Sequence, residues 1–192
     1  MKTTIRKKLI RWFSDKIGDT RRHTKNAFAD APKRRKPLSP AQKITRGRFY
    51  LAVEYAKAQM CDPEMRALYQ AGINKRNRSA FGVAVTDALN APDVRLIDDD
   101  NYRGGIGDVI TIRAWDDFMV ARVRVILSDT HGTELERGEA VQDRWNIFLW
   151  KYTATIANRT LAGTTITATA FDLPGNQASL QKTLTSPQLQ QP

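Results

Sequence analysis

Hydrophobic and polar positions alternate most regularly between Gly107 and Asp129. Ile110, Ile112 and Ala114 recur at every second position, and Val123, Val125 and Leu127 do so again after the pair Asp116-Asp117. A period of two in β-branched residues marks a half-buried strand, so this stretch predicts two strands joined by an acidic turn. Similar runs after Asp93 predict seven strands in all, at about 94–98, 107–114, 118–127, 133–140, 145–154, 163–171 and 177–184. Turn residues separate them: Gly104-Gly105, Asp116-Asp117, Asp129 to Gly132, Gln142-Asp143, Leu161 to Gly163 and Pro174-Gly175-Asn176. Seven short strands at this spacing are the pattern of an antiparallel β-sandwich.

Before Asp93 the period becomes helical. Ser39, Pro40 and Gln42 supply an N-cap, a proline at the first helical position and a capping box. The helix they open carries Ile44, Leu51, Ala52 and Tyr55 on one face and Phe49, Val53, Ala56 and Met60 on another, which predicts neighbours on both sides. Asp62-Pro63 opens a second helix with Met65, Leu68 and Tyr69 inward and Gly72 as its stop. Ser79 opens a third, with Phe81, Val85, Ala88 and Leu89 at helical spacing and Asn90-Ala91-Pro92 at its end. Three helices of this size fit a helix-turn-helix unit. The third, however, offers only Thr86, Asp87 and Asn90 as polar side chains, and Asp87 would repel phosphate, so it reads as core rather than as a base-reading helix.

Residues 1–18 also have helical spacing: Ile5, Leu9, Trp12, Phe13 and Ile17 share a face, Arg6, Lys7, Lys8 and Arg11 cover much of the rest, and Gly18 is a stop. Such a helix can pack on its own domain or a second copy, dock on a partner, sit near nucleic acid or lie on an anionic membrane. Residues 19–38 have no period and read as a flexible linker holding Arg21, Arg22, Lys33, Arg34, Arg35 and Lys36. The expected organisation is therefore a basic arm at 1–38, a three-helix unit at 39–92, a sandwich at 93–185 and a disordered tail at 186–192, an α+β chain.

Charge sharpens this division. The 192 residues carry a formal net charge of +11, from 31 Lys and Arg against 20 Asp and Glu. The first 92 residues hold 21 of those basic side chains and 7 of the acidic ones; the remainder is mildly acidic. The arm, with Lys75, Arg76 and Arg78 in the turn 73–78, could neutralise phosphates or an acidic partner. One cysteine, Cys61, allows no disulfide within the chain. No run of 18 apolar residues predicts a transmembrane helix, and the apolar cluster near the start is broken by Arg11, so no signal peptide is expected and the expected location is cytoplasmic.

Three motifs carry a resemblance: Ala114-Trp115-Asp116, the loop Asp129-Thr130-His131-Gly132, and Thr167-Ala168-Thr169-Ala170-Phe171-Asp172-Leu173-Pro174-Gly175-Asn176. On these, residues 95–184 resemble bacterial immunoglobulin-like domains. The whole layout is similar to uncharacterised bacterial proteins that join a basic helical region to such a sandwich. The resemblance implies an immunoglobulin-like sandwich and no activity. Most members of that family are exported, and here the chain departs from them.

In such a sandwich the turn holding Asp116 and Asp117 and the turn holding Asp172 and Asn176 lie at one pole. Three carboxylates and an amide oxygen there could hold Ca²⁺, which takes six to eight oxygens; Asp, Asn and Gly also populate turns for backbone reasons. Asp98-Asp99-Asp100 lacks the spacing of a calcium loop and reads as a solvated or arm-binding surface. In the run from Trp145 to Tyr152 both strand faces are apolar. One face should be core; the other should meet the helices or another chain, which makes Trp145, Phe148, Trp150 and Tyr152 interface candidates alongside Trp12 and Phe13.

Nothing points to catalysis. The histidines, His23 and His131, lie in a linker and a turn, Cys61 has no general base nearby in sequence, and no Gly-x-Ser-x-Gly, P-loop, Gly-x-Gly-x-x-Gly or His-Glu-x-x-His motif occurs. The expected function is a non-enzymatic binding or scaffold protein without a resident cofactor. It would meet a protein partner or its own copy through the sandwich and a polyanion or acidic partner through the arm. The alternatives are sequence-nonspecific nucleic-acid binding and a surface or virion adhesion module.

Overall fold

The computed structural model describes residues 37–185. The expectations for the amphipathic helix with Trp12 and Phe13, for Arg6, Lys7, Lys8, Arg11, Arg21, Arg22, Lys33, Arg34, Arg35 and Lys36, and for the tail lie outside the described residues. The described residues from Ile44 onward belong to one compact unit.

Among the described residues three helices precede the strands: α1 (Pro40–Cys61), α2 (Pro63–Ala71) and α3 (Ala80–Leu89). Their starts follow local chemistry. The Ser39 amide donates to Gln42 Oε1 at 2.9 Å while the Gln42 amide donates to Ser39 Oγ at 3.2 Å, a reciprocal capping box. Asp62 Oδ1 accepts from the amides of Glu64 and Met65 before α2, and Ser79 Oγ accepts from Gly82 before α3.

Burial on two helices differs from the sequence reading. Only Ala52 and Ala56 are buried on α1, whereas Ile44, Phe49 and Leu51 are 65%, 53% and 68% exposed. The helix packs through small residues, which let it approach closely, and its larger ones face outward. On α3 the buried stripe is Ala80, Val83, Ala84 and Asp87 rather than the Phe81–Val85–Leu89 side. Phe81 is exposed.

The seven strands are β1 (Asp93–Asp98), β2 (Val109–Trp115), β3 (Arg122–Ser128), β4 (Glu134–Gln142), β5 (Leu149–Thr153), β6 (Thr165–Phe171) and β7 (Gln177–Thr183). They form one antiparallel sheet in the order β1-β2-β5-β4-β3-β6-β7. Strand β4 joins its two parts. Residues Glu134 to Ala140 pair with β3, whereas Val141 and Gln142 pair with Lys151 and Trp150 of β5. The outer strands β1 and β7 approach each other, so the sheet is nearly closed: Lys182 Nζ donates to the Ile97 carbonyl at 3.3 Å and pairs with Asp99.

Alternation along the strands fills the interior. Ile110, Ile112, Ala114, Val123, Val125, Leu127, Trp150, Tyr152, Ile166, Ala168 and Ala170 form the main core. A second core lies among the helices, with Ala56, Tyr69, Ala80, Val83 and Ala84. Phe118 and Leu173 reach into it from the β2–β3 and β6–β7 turns. The Phe118 ring stacks on Tyr69 with centroids 4.8 Å apart. Gly72 makes room for it, since a Cβ there would run into the Phe118 ring. The helices are thereby fastened to one pole of the sheet.

Two strands start later than their hydrophobic pattern suggests, for the same reason. Asp116 Oδ2 accepts from the amides of Phe118 and Met119, and Asp143 Oδ1 from those of Trp145 and Asn146. These side-chain bonds capture amides that would otherwise join the ladder. Strand β3 thus begins at Arg122 and β5 at Leu149.

At the opposite end of the sheet Glu136 is buried, with Oε1 accepting from the Thr155 amide at 2.5 Å and the Thr155 hydroxyl at 2.7 Å. Burial alone would push its carboxyl up; these bonds and the Tyr152 hydroxyl outweigh it and hold the group below the ordinary 4.5. A carboxylate with a lowered folded-state value adds stability that is complete above its unfolded value and fades as pH falls through the folded one. Denaturant unfolding followed from neutral pH into the acid range below 4.5 should show this loss, and Glu136→Gln should flatten that part of the profile.

Candidate functional site

Three carboxylates converge where the helices meet the sheet. Asp87 comes from the last turn of α3, Asp116 from the end of β2 and Asp172 from the end of β6. Their residues are 0%, 8% and 4% exposed, and one oxygen from each lies within 4.8 Å of the others.

Each carboxylate is held by hydrogen bonds on its outer side. Asp87 Oδ2 accepts from the Tyr69 hydroxyl at 2.6 Å, and Tyr55 Oη lies 2.8 Å from Tyr69 Oη. Because Tyr69 donates to Asp87, Tyr55 donates to Tyr69. The Phe118 and Met119 amides hold Asp116 Oδ2 at 3.2 and 2.9 Å. Asp172 Oδ1 accepts from the Gly175 amide at 2.8 Å, and Oδ2 accepts from Asn176 Nδ2 at 2.7 Å. The inward oxygens Asp87 Oδ1 and Asp116 Oδ1 are buried without a hydrogen-bond partner.

Among the described residues no lysine, arginine or histidine forms a salt bridge with any of the three. Burial pushes the Asp87 carboxyl up to about 7, against the Tyr69 hydrogen bond and with the help of Asp116 and Asp172. Burial also raises Asp172, partly offset by the donors Asn176 and Gly175. Tyr69 is pushed up as well, first by burial and then by Asp87. At Glu136, also buried, the donors outweigh burial and the carboxyl is lowered instead.

The four expected calcium ligands therefore separate. Asp116 and Asp172 do meet. Asp117 stays exposed and accepts from Asn90 Nδ2 at 2.5 Å. Asn176 presents its amide nitrogen, donating to Asp172 and toward the backbone oxygens of Asp87, Ala88 and Asn90 at 3.3, 3.4 and 3.2 Å, so it ties the β6–β7 turn to the end of α3. Asp87 takes the third place. The sequence signal for it was the stripe Ala80–Val83–Ala84–Asp87, as regular as the one formed by the larger residues.

The other candidates sort by exposure. Lys75, Arg76 and Arg78 are all exposed on the turn between α2 and α3. Trp145 is 89% and Phe148 44% exposed, whereas Trp150 and Tyr152 are buried in the sheet core and leave the interface set, because their strand positions face inward. Asp98, Asp99 and Asp100 form a partly exposed group in which Asp99 is paired with Lys182. Among the described residues no helix is long and apolar enough to cross a membrane.

No protein-family model and no curated protein matches the chain. One solved structure, an engineered protein determined at 1.98 Å, shares 19% identity over 47% of this chain with a TM-score of 0.36. The match spans 19% of that protein's length, too distant a likeness to carry a fold or an activity across.

Tyr69→Phe removes the donor to Asp87 Oδ2 and the acceptor for Tyr55. It should destabilise the fold by about 1–3 kcal/mol, measured by denaturant unfolding at neutral pH.

Proposed function

We propose that the chain is a non-enzymatic binding or scaffold protein whose immunoglobulin-like module makes protein–protein contacts. The immunoglobulin-like reading is supported by the strand order, in which β1-β2-β5-β4 and β3-β6-β7 follow the order of the two sheets of such a sandwich, with β4 pairing to β3 as well. The observation that carries the functional reading is the β4–β5 loop. Trp145, Ile147 and Phe148 are 89%, 63% and 44% exposed there, although the loop is tied down from within.

Asp143 binds the Trp145 and Asn146 amides and pairs with Lys151, Asn146 Oδ1 accepts from the Phe148 amide, and Gln142 Nε2 donates to the Ile147 carbonyl. A large aromatic side chain held outward by a fixed loop loses little freedom on binding, the property of an interface anchor. Ile147 and Phe148 continue into a groove of about 380 Å3 shared with Leu68, Trp115, Phe118 and Met119. The partner is a protein, either another species or a second copy.

Trp145→Ala touches no core residue. It should leave the melting temperature within about a degree while abolishing retention of a partner captured from the producing cells, or dimerisation seen by sedimentation. Equal retention and an equal sedimentation profile would refute the reading.

A second reading, contact with a polyanion, is favoured by Lys75, Arg76 and Arg78, which stand exposed together and form no salt bridge with a described carboxylate. With the arm added, such binding should weaken steeply as salt rises and be lost on deleting residues 1–38. Failure of the full chain to bind DNA or RNA at low salt would exclude nucleic acid as that polyanion.

A further inference from the structure

We propose that Asp87, Asp116 and Asp172 together bind one Ca²⁺ ion that links α3 to the two turns at the pole of the sheet. The argument starts from charge. Three carboxylates sit in a buried space and, among the described residues, none of them forms a salt bridge, an arrangement that is costly unless a positive charge is supplied. One proton would remove one negative charge and leave two. A divalent cation leaves one and draws on all three groups at once.

The hydrogen bonds have the pattern of a ligand shell. One oxygen of Asp87 is occupied by Tyr69 and one of Asp116 by the Phe118 and Met119 amides, whereas Asp172 accepts at both oxygens, from Gly175 and from Asn176. The inward Asp87 Oδ1 and Asp116 Oδ1 are left free, two of four buried side-chain atoms among the described residues that lack a partner. Donors that fix the outer oxygen of a carboxylate and leave the inner one open are what metal-ligating carboxylates carry around them.

An all-oxygen donor set selects a hard cation. One oxygen from each carboxylate lies within 4.8 Å of the others, close enough to share one ion, and Ca²⁺ tolerates irregular donor placement where Mg²⁺ demands near-ideal octahedral geometry. Asp116 also lines the groove beside Phe118, from which water completes the coordination. Asp117 and Asn176 are not ligands: one is exposed and paired with Asn90, and the other faces the cluster as a donor.

The test uses the full chain, stripped with a chelator and kept at mildly alkaline pH. Millimolar Ca²⁺ should raise the melting temperature by several degrees, and EDTA should reverse the rise. Tb³⁺ should give emission sensitised through Tyr69, which is bonded to Asp87, and Ca²⁺ should displace it. Asp87→Asn should abolish both responses, whereas Asp99→Asn, in the exposed acidic group, should keep both. If Asp87→Asn does not fold by circular dichroism, Asp172→Asn takes its place. A wild-type chain unmoved by saturating Ca²⁺ and Tb³⁺ would overturn the proposal whatever the variants do. So would responses lost in Asp99→Asn and kept in Asp87→Asn. A wild-type chain indifferent to cations but stabilised by Asp87→Asn would overturn it in favour of a proton shared between Asp87 and Asp116.

Discussion

The helices and the sheet are joined through a patch of buried negative charge, and most of the local structure around that patch exists to hold it. Tyr69 is a buried hydroxyl whose proton is directed at Asp87. The β2–β3 turn is shaped by the amides that Asp116 collects, and that turn in turn delivers Phe118 to Tyr69. Asn176 reads the end of α3 and the Asp172 carboxylate at the same time. A polar network of this kind is sensitive to geometry, because each donor removed leaves a buried oxygen without its partner. Orientation of the helices on the sheet is thus specified by directional bonds, with the apolar contacts of Phe118 and Leu173 filling the space between them.

Much of the architecture was legible in the residues. The alternation of Ile110, Ile112 and Ala114, and of Val123, Val125 and Leu127, describes the buried face of two strands because sheet geometry leaves no other way to hide those side chains. Asp116 and Asp172 could be brought to one pole by strand order alone. Asp87 could not, since a charge in a helix is ordinarily given to solvent and the larger Phe81 and Leu89 drew the apolar face to the wrong side. The buried stripe is built from alanines, whose small size allows the close approach that places a carboxylate against the sheet. The run from Trp145 to Tyr152 misled in the opposite sense. Large apolar residues fill most of it, but Asp143 and Asn146 fold its first half out of the ladder, so chemically similar residues end in solvent and in core.

The two surfaces proposed for binding differ in how they are made. The carboxylate cluster is enclosed, and whatever it holds serves the joint between helices and sheet. The loop bearing Trp145 is open, and its internal bonds fix an apolar side chain where water would otherwise select a polar one. Both are built from Asp and Asn side chains that hold nearby amides, and the outcome is set by what surrounds them. Helical packing covers the cluster, while solvent faces the loop.

The crossing of β4 between its two neighbours has a consequence for assembly. One strand shared by both parts of the sheet leaves β1 and β7 as the outer strands of its order, and Lys182 binds these two to each other. A foreign strand seeking backbone partners meets a lysine where it would have to add. Addition of a further strand at that edge is thereby disfavoured.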